Sequence, residues 1–337
     1  MPCFTRPRRF APTLAALLLA VAGNTLLGSV AALAQKAEAW PTRPIRLVVP
    51  FPPGGGTDLV GRTVGAKLSE VLGQTVVIDN RGGAGGNIGT EIATRAEPDG
   101  YTLLISSIGP MAINPTLYGG KLPFDPLRDL APITHSSEAL NMLMVHPSVP
   151  ATNVKELIEY LRKNPGKMSF STSGIGATDH LAGELFNRML GLSTIHVPYK
   201  GGGPAAADLA GGNVQFSFNT VSAQVGLWKA GRLRALAVTS PKRQPLFADV
   251  PAIAETVPGY AVNNWYGFFV PAKTPRAIID RLNTEINRIL KMPDIIERHN
   301  AGGIVPVGST PEEFSRFIRA ESEKWTKVLK EAGIKAE

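Results

Sequence analysis

Short apolar runs and longer amphipathic stretches take turns along this chain, and their spacing sets the expected elements. The run Ile45-Arg-Leu-Val-Val49 reads as a strand, and Val60, Val64, Leu68, Val71 and Leu72 then recur at helical spacing from Leu59 to Leu72. Gly73 stops that helix, and Thr75 to Ile78 is the next strand. The glycine turn from Asn80 to Asn87 leads into a helix holding Ile88, Ile92 and Ala93. After the turn Pro98-Asp-Gly100, a strand runs from Tyr101 to Ile105 and ends at Ser106-Ser107. From Gly109 to Asp129 proline and glycine are frequent and periodicity is lost, which reads as a crossing segment rather than core.

A second series follows. It comprises a strand at Met142 to Val145, a helix at Val154 to Leu161, a strand at Met168 to Phe170 and a helix at Asp179 to Leu190. Then come a strand at Thr194 to Val197, the loop Pro198 to Pro204, a short helix to Leu209 and strands at Val214 to Phe218 and Leu233 to Val238. Proline-rich text at Val250 to Gly259 suggests that the chain crosses back. The last part reads as helical. Thr274-Pro275 supplies an N-cap and first helical residue, with Ile278, Ile279, Leu282, Ile286 and Ile289 on one face. Thr310-Pro-Glu-Glu313 is a capping box opening a helix with Phe314, Phe317, Ile318, Trp325, Val328 and Leu329 inward, and Gly333 ends it. The expectation is an α/β chain of two lobes, each a mostly parallel sheet flanked by helices. Lobe 1 takes residues 35–136 and 260–337, lobe 2 is the insertion 137–259, and two crossings permit hinge closure.

Composition changes the picture chiefly at the amino terminus. Arg6, Arg8 and Arg9 precede an apolar stretch from Leu14 to Ala22, and Ala32-Leu-Ala34 offers a small-residue cleavage site. Residues 1–34 therefore read as a signal peptide for general secretion, with an uncleaved anchor as the alternative. Removing them takes three of the eight net positive charges and Cys3, the single cysteine of 337 residues. A mature chain without cysteine has no disulfide, thiol nucleophile or cysteine-bound metal. The remaining positive charge is dispersed, so nucleic acid is not an expected partner, and encounters with small acidic solutes are mildly favoured.

Two loops carry the candidate chemistry. Phe51-Pro-Pro-Gly-Gly-Gly-Thr-Asp58 joins a strand to a helix, as does Thr172-Ser-Gly-Ile-Gly-Ala-Thr-Asp179. A glycine turn into a helix presents main-chain N–H groups and the positive end of the helix dipole to an anion. Gly54, Gly55 and Gly56 would let a ligand approach the backbone, while a tight turn is their structural reading. Thr57 or Asp58 can cap the helix, and Thr57 and Thr178 can either donate hydroxyls to a ligand or cap. Ser106 and Ser107 end a strand at the carboxyl edge of the sheet, where α/β ligand sites lie. Tyr199 could wall the cleft or pack in the core, and Asn219 follows a strand toward the same edge. Lys200 reads as a surface residue, Trp265 as hinge packing, and Gly85-Gly86-Asn87 as a packing turn. His180 and Glu184 are four apart, for which a local hydrogen bond suffices, so no metal site is assigned. No glycine run completes G-x-G-x-x-G, and neither G-x-S-x-G nor H-E-x-x-H occurs.

These loops, with Gly73-Gln74, Asn80-Arg81, Gly85-Gly86-Asn87-Ile88-Gly89, Pro98-Asp-Gly-Tyr-Thr102, Ser173-Gly174, His180-Leu181, Glu184-Leu185, Val197-Pro-Tyr-Lys-Gly201, Leu236-Ala-Val-Thr239 and Val250-Pro251, resemble the Bug/TctC family. Members are periplasmic substrate-binding components of tripartite tricarboxylate transporters. The likeness runs from Trp40 through the last helix, with motifs in order. It implies a two-lobed periplasmic binding protein of type II-like clamshell form, without cofactor or catalytic residues. Such a protein binds a small organic carboxylate as a monomer and delivers it to the permease subunits of the inner membrane. In the family the ligand carboxylate is held by main-chain N–H groups and ordered waters. The matching positions are Phe51, Gly55, Gly56, Thr57 and Asp58 in the first loop and Ser171, Ser173, Gly174, Ala177 and Thr178 in the second. Three glycines stand in the first loop where the family more often has two, which leaves the identity of the ligand open. A sensing subunit for a membrane signalling system and an exported enzyme acting on a carboxylate are the alternatives.

Overall fold

Among the described residues, every strand joins one of two sheets. The structure, a computed structural model, describes residues 1–4 and 40–334. The expected basic segment, apolar stretch and cleavage site at Arg6 to Ala34 lie outside the described residues, as do the last three residues. The chain divides into two units, Met1–Thr42 and Arg43–Glu337, and all elements below belong to the second. Among the described residues no helix is long and apolar enough to cross a membrane.

The first sheet contains β1 (Ile45–Val49), β2 (Val76–Asn80), β3 (Thr102–Ser107), β4 (Leu130–Ala139), β10 (Asn264–Pro271) and β11 (Ile304–Pro306). Their order is β11-β4-β10-β3-β1-β2. The second contains β5 (Met142–Val145), β6 (Ser169–Thr172), β7 (Ile195–Pro198), β8 (Phe216–Ser217) and β9 (Arg234–Val238), in the order β7-β6-β8-β5-β9. The molecule is a two-lobed α/β protein, but neither sheet is mostly parallel. β1 runs parallel to β2 and β3, whereas β10 is antiparallel to β3 and β4, and β11 to β4. In the second sheet β6 is parallel to β7 and β8, while β5 opposes β8 and β9. In the first sheet every antiparallel pair involves β4 or β10, and in the second every one involves β5.

Of the segment expected to be a crossing between Gly109 and Asp129, the first part is core, while the part from Gly119 onward is largely exposed. A π-helical turn, Gly109–Ile113, buries Met111, Ala112 and Ile113. The chain actually passes between sheets at Leu140-Asn141, where the Leu140 amide donates to the Gly303 carbonyl and the Met142 amide to the Asn219 carbonyl.

Burial on both faces explains β5. Met142 and Met144 belong to one apolar cluster with Leu209, Val214 and Val221, whereas Leu143 and Val145 join Leu157, Phe170 and Leu236. Alternation across a strand puts neighbours on opposite faces, so a central strand covered on both sides is apolar throughout. β10 is buried along its whole length. A side chain at Gly267 would collide with Phe314, whose ring occupies that space.

The helices that frame the lobes are α1 (Gly56–Leu72), α2 (Asn87–Thr94), α3 (Val154–Lys163), α4 (Thr178–Leu190), α5 (Gly202–Ala210), α6 (Val221–Lys229), α7 (Arg276–Ile289), α8 (Pro293–Ala301) and α9 (Pro311–Ala332). α9 carries the expected capping box: the Glu313 amide donates to the Thr310 hydroxyl, and the Thr310 amide to the Glu313 carboxylate. Gly73 and Gly333 end α1 and α9 in the left-handed conformation, as expected. Thr274 does not cap α7; its hydroxyl donates to the Pro271 carbonyl and the helix opens after Pro275.

Candidate ligand-binding cleft

Four helices begin at one cleft between the sheets. Its lining includes Gly55, Gly56 and Thr57 at the start of α1, and Ala177, Thr178 and Asp179 at the start of α4. Gly202 opens α5, and Thr220 is the N-cap residue of α6. Phe51, Ser107, Asn141, Ser173, Asn264 and Tyr266 complete the wall. First-turn amides have no partner within their own helix, so each start offers N–H groups and a positive partial charge. At roughly half a unit per helix, four starts amount to about two positive charges. No lysine or arginine is among the lining residues, and the single charged one is Asp179.

The helix starts differ from the expected ones. α1 begins at Gly56, its cap position is Gly55, and no side chain caps it. Thr57 and Asp58 thus lie inside the first turn. Asp58 accepts from the Gly54 amide at 3.0 Å and from Asn80 Nδ2 at 2.9 Å, and pairs with Arg62 at 2.9 Å. Its carboxylate braces the Gly54 turn, and Asp58 is not among the lining residues. In α4 the cap position is Ala177, and Asp179 takes the bracing role, accepting from the Ser173 amide and hydroxyl, both at 2.7 Å. Burial raises the Asp179 carboxyl to about 6, although these hydrogen bonds pull the other way.

Of the residues selected from sequence, Phe51, Gly55, Gly56, Thr57, Ser107, Ser173, Ala177 and Thr178 come together on the lining. The others stand behind it. Ser106 is fully buried beside Ser107. Ser171 donates its hydroxyl to the Ala205 carbonyl. Gly174 accepts from the Ala177 amide within its turn. Tyr199 points its hydroxyl at Asp208, 2.5 Å away. Asn219 donates to the Gly202 carbonyl at 2.8 Å and accepts from the Thr220 amide at 2.8 Å, fixing the α5 and α6 starts.

Sequence reasoning missed Asn141, Asp179, Gly202, Thr220, Asn264 and Tyr266. Asp179 and Gly202 sat inside motifs already singled out, but Asn141, Asn264 and Tyr266 lie in strands or crossings without a local pattern. Tyr266 is buried, and burial with the nearby Asp179 charge holds its hydroxyl protonated, with Thr220 and Asn264 beside it on the lining. It lies so close to α1 that a side chain at Gly56 would collide with its hydroxyl. That contact requires glycine where α1 begins.

Loops of the two lobes also meet around the cleft. A side chain at Gly85 would strike the Ile175 carbonyl, and one at Gly176 the Asn114 side chain. At Gly109 it would come within 2.8 Å of the Gly176 carbonyl, and at Gly201 within 2.6 Å of Pro52.

Known proteins share this architecture. BugT of Bordetella pertussis (strain Tohama I) is 37% identical over 320 residues, covering 94% of this chain and 98% of that protein. The solved structure of R. palustris Rpa4515 with adipate is 40% identical, with a TM-score of 0.85 over 88% of this chain and 99% of that one. The periplasmic binding protein BugD is 34% identical, with a TM-score of 0.85 over 88% of this chain and all of that one. The model of the tripartite tricarboxylate transporter family receptor, TctC, matches residues 60–334. The chain belongs to this receptor family.

Proposed function

We propose that this protein is an extracytoplasmic receptor that closes two lobes over a small organic carboxylate and delivers it to a tripartite tricarboxylate transporter. The observation that carries this reading is the convergence of four helix N-termini on a cleft without a cationic side chain. About two units of partial charge exceed the single negative charge of Asp179, so the cleft still favours an anion. A carboxylate accepts several N–H bonds without forming an ion pair. Adipate in a relative of 40% identity supports the ligand class. Lobe 1 is assigned to the sheet of β1 to β4 with β10 and β11, and lobe 2 to the sheet of β5 to β9, with the passage at Leu140-Asn141 rather than after residue 136. A signal peptide cleaved near Ala34 would send the mature chain to the periplasm.

Native mass spectrometry of the purified protein, followed by isothermal titration with mono-, di- and tricarboxylates, tests the reading. A retained organic acid and saturable binding of at least one carboxylate are expected. Binding confined to amines or neutral sugars would overturn it, as would turnover of a carboxylate that is lost in Ser173→Ala.

A further inference from the structure

Asp179 is the one charged side chain on the lining of a cleft that favours an anion. It is 2% exposed, and both of its oxygens accept hydrogen bonds. Oδ2 accepts from the Ser173 amide and hydroxyl, each at 2.7 Å, and Oδ1 accepts from the His180 amide at 3.0 Å. On its own helix, α4, burial holds His180 neutral, with the ring of His196 from β7 centred 4.5 Å from it. From β10, Tyr266 lies near as a protonated phenol. On α1, Asp58 is paired with Arg62 and stands off the lining. No cationic side chain on the lining answers Asp179. A ligand carboxylate therefore meets a like charge in a buried space, and closure of the lobes strips water from both.

The hydrogen bonds around Asp179 allow it to become neutral. A serine hydroxyl is both donor and acceptor. With a proton on Oδ2, that oxygen donates to Ser173 Oγ across the same 2.7 Å, and the serine turns its own hydrogen toward Asn219 Oδ1, 3.4 Å away. The Ser173 and His180 amides keep their acceptors. We propose that the cleft takes up one proton with each ligand carboxylate, and that Asp179 holds it. This inference rests on the carboxylate reading above and deepens it. Burial raises this carboxyl only to about 6, so near neutral pH it is mostly ionised before a ligand arrives. A second anion beside it moves it further up.

Isothermal titration of the purified protein with succinate, glutarate and adipate at about pH 7.5, in buffers of different ionisation enthalpy such as HEPES and Tris, counts the protons. For an acid that binds, uptake of roughly half to one proton per ligand is expected, and affinity should rise about three- to tenfold as pH falls from about 8 to about 7. Asp179→Asn, which carries an amide where the protonated acid would stand, should bind without proton uptake and with affinity flat over that range. Binding without uptake in the native protein, uptake that persists in Asp179→Asn, or a variant that folds but no longer binds overturns the proposal. Should the variant not fold, the infrared difference spectrum of the native protein decides. A protonated carboxyl band that appears with ligand, and stays in place when the ligand carboxyl carbons are isotopically labelled, supports the proposal; absence of that band overturns it. Carboxylate binding without proton uptake sinks this inference alone. If none of these acids binds, it falls together with the carboxylate reading.

Discussion

At Gly56 the absence of one carbon atom is what lets the Tyr266 hydroxyl reach the start of α1. Gly56→Ala should therefore push the tyrosine away and distort the cleft. Overpacking of this kind costs about 1–3 kcal/mol, so ligand affinity should fall by roughly tenfold or more, measured by titration calorimetry. Adding Tyr266→Phe removes the colliding oxygen and should recover part of the loss; no recovery would place the defect elsewhere. At this scale the sequence was legible where chemistry is written locally. Glycine followed by a helix start announces an anion mouth, and Gly55, Gly56, Thr57, Ala177 and Thr178 indeed reach the cleft. Asn141 and Asn264 were illegible, because a single amide beside an apolar run gains meaning only when two crossings bring such residues together.

Helices declared themselves more clearly than strands, because capping and periodicity are local. Thr310→Ala removes the acceptor for the Glu313 amide, which costs about 1 kcal/mol at an exposed N-cap. For a chain of this size the melting temperature should drop by about 1–4 °C, read by calorimetry or circular dichroism. An unchanged melt would mean that α9 frays there in the native protein. β4 and β10 were overlooked in the sequence for an instructive reason. β4 contains Pro132, and its polar Thr134, Ser136 and Ser137 interrupt any apolar alternation. Those side chains are nonetheless buried, and the Ser136 hydroxyl donates to the Tyr266 carbonyl while the Ser309 amide donates to the Thr134 hydroxyl. Partners from distant segments satisfy them, and pattern reading cannot see such partners. With these antiparallel strands overlooked, the parallel βα units that remained made the first sheet look mostly parallel; in the second, β5 was expected as a strand but its direction is not written in its residues.

For the whole molecule, titration should be governed by its buried imidazoles. Burial lowers His135 to about 4, His180 to about 3, His196 to about 4 and His299 to about 4, with the His196 and Arg298 charges adding to the effect at His180 and His299. The folded state disfavours their charged form, so their stabilising effect is present above about pH 6.5 and is lost as pH falls toward 4. Asp179 and Glu138, raised by burial to about 6 and about 7, act in the opposite sense, losing stability as pH rises. Four imidazoles outnumber two carboxyls, and Glu138 is 40% exposed, which weakens its share. Thermal melts between pH 7.5 and 4.5 should therefore decline toward acid; a flat or rising profile would contradict this balance. Division into two lobes was legible from the two sets of βα units, whereas the crossing near Asn141 was not, since no proline or glycine marks it. The bare backbone along which the lobes touch has a mechanical corollary. A methyl at Gly85 acts as a doorstop against Ile175. Gly85→Ala should hold the jaws ajar, so that guests enter freely, leave at least about tenfold sooner in stopped-flow displacement, and are never sealed from the surrounding water.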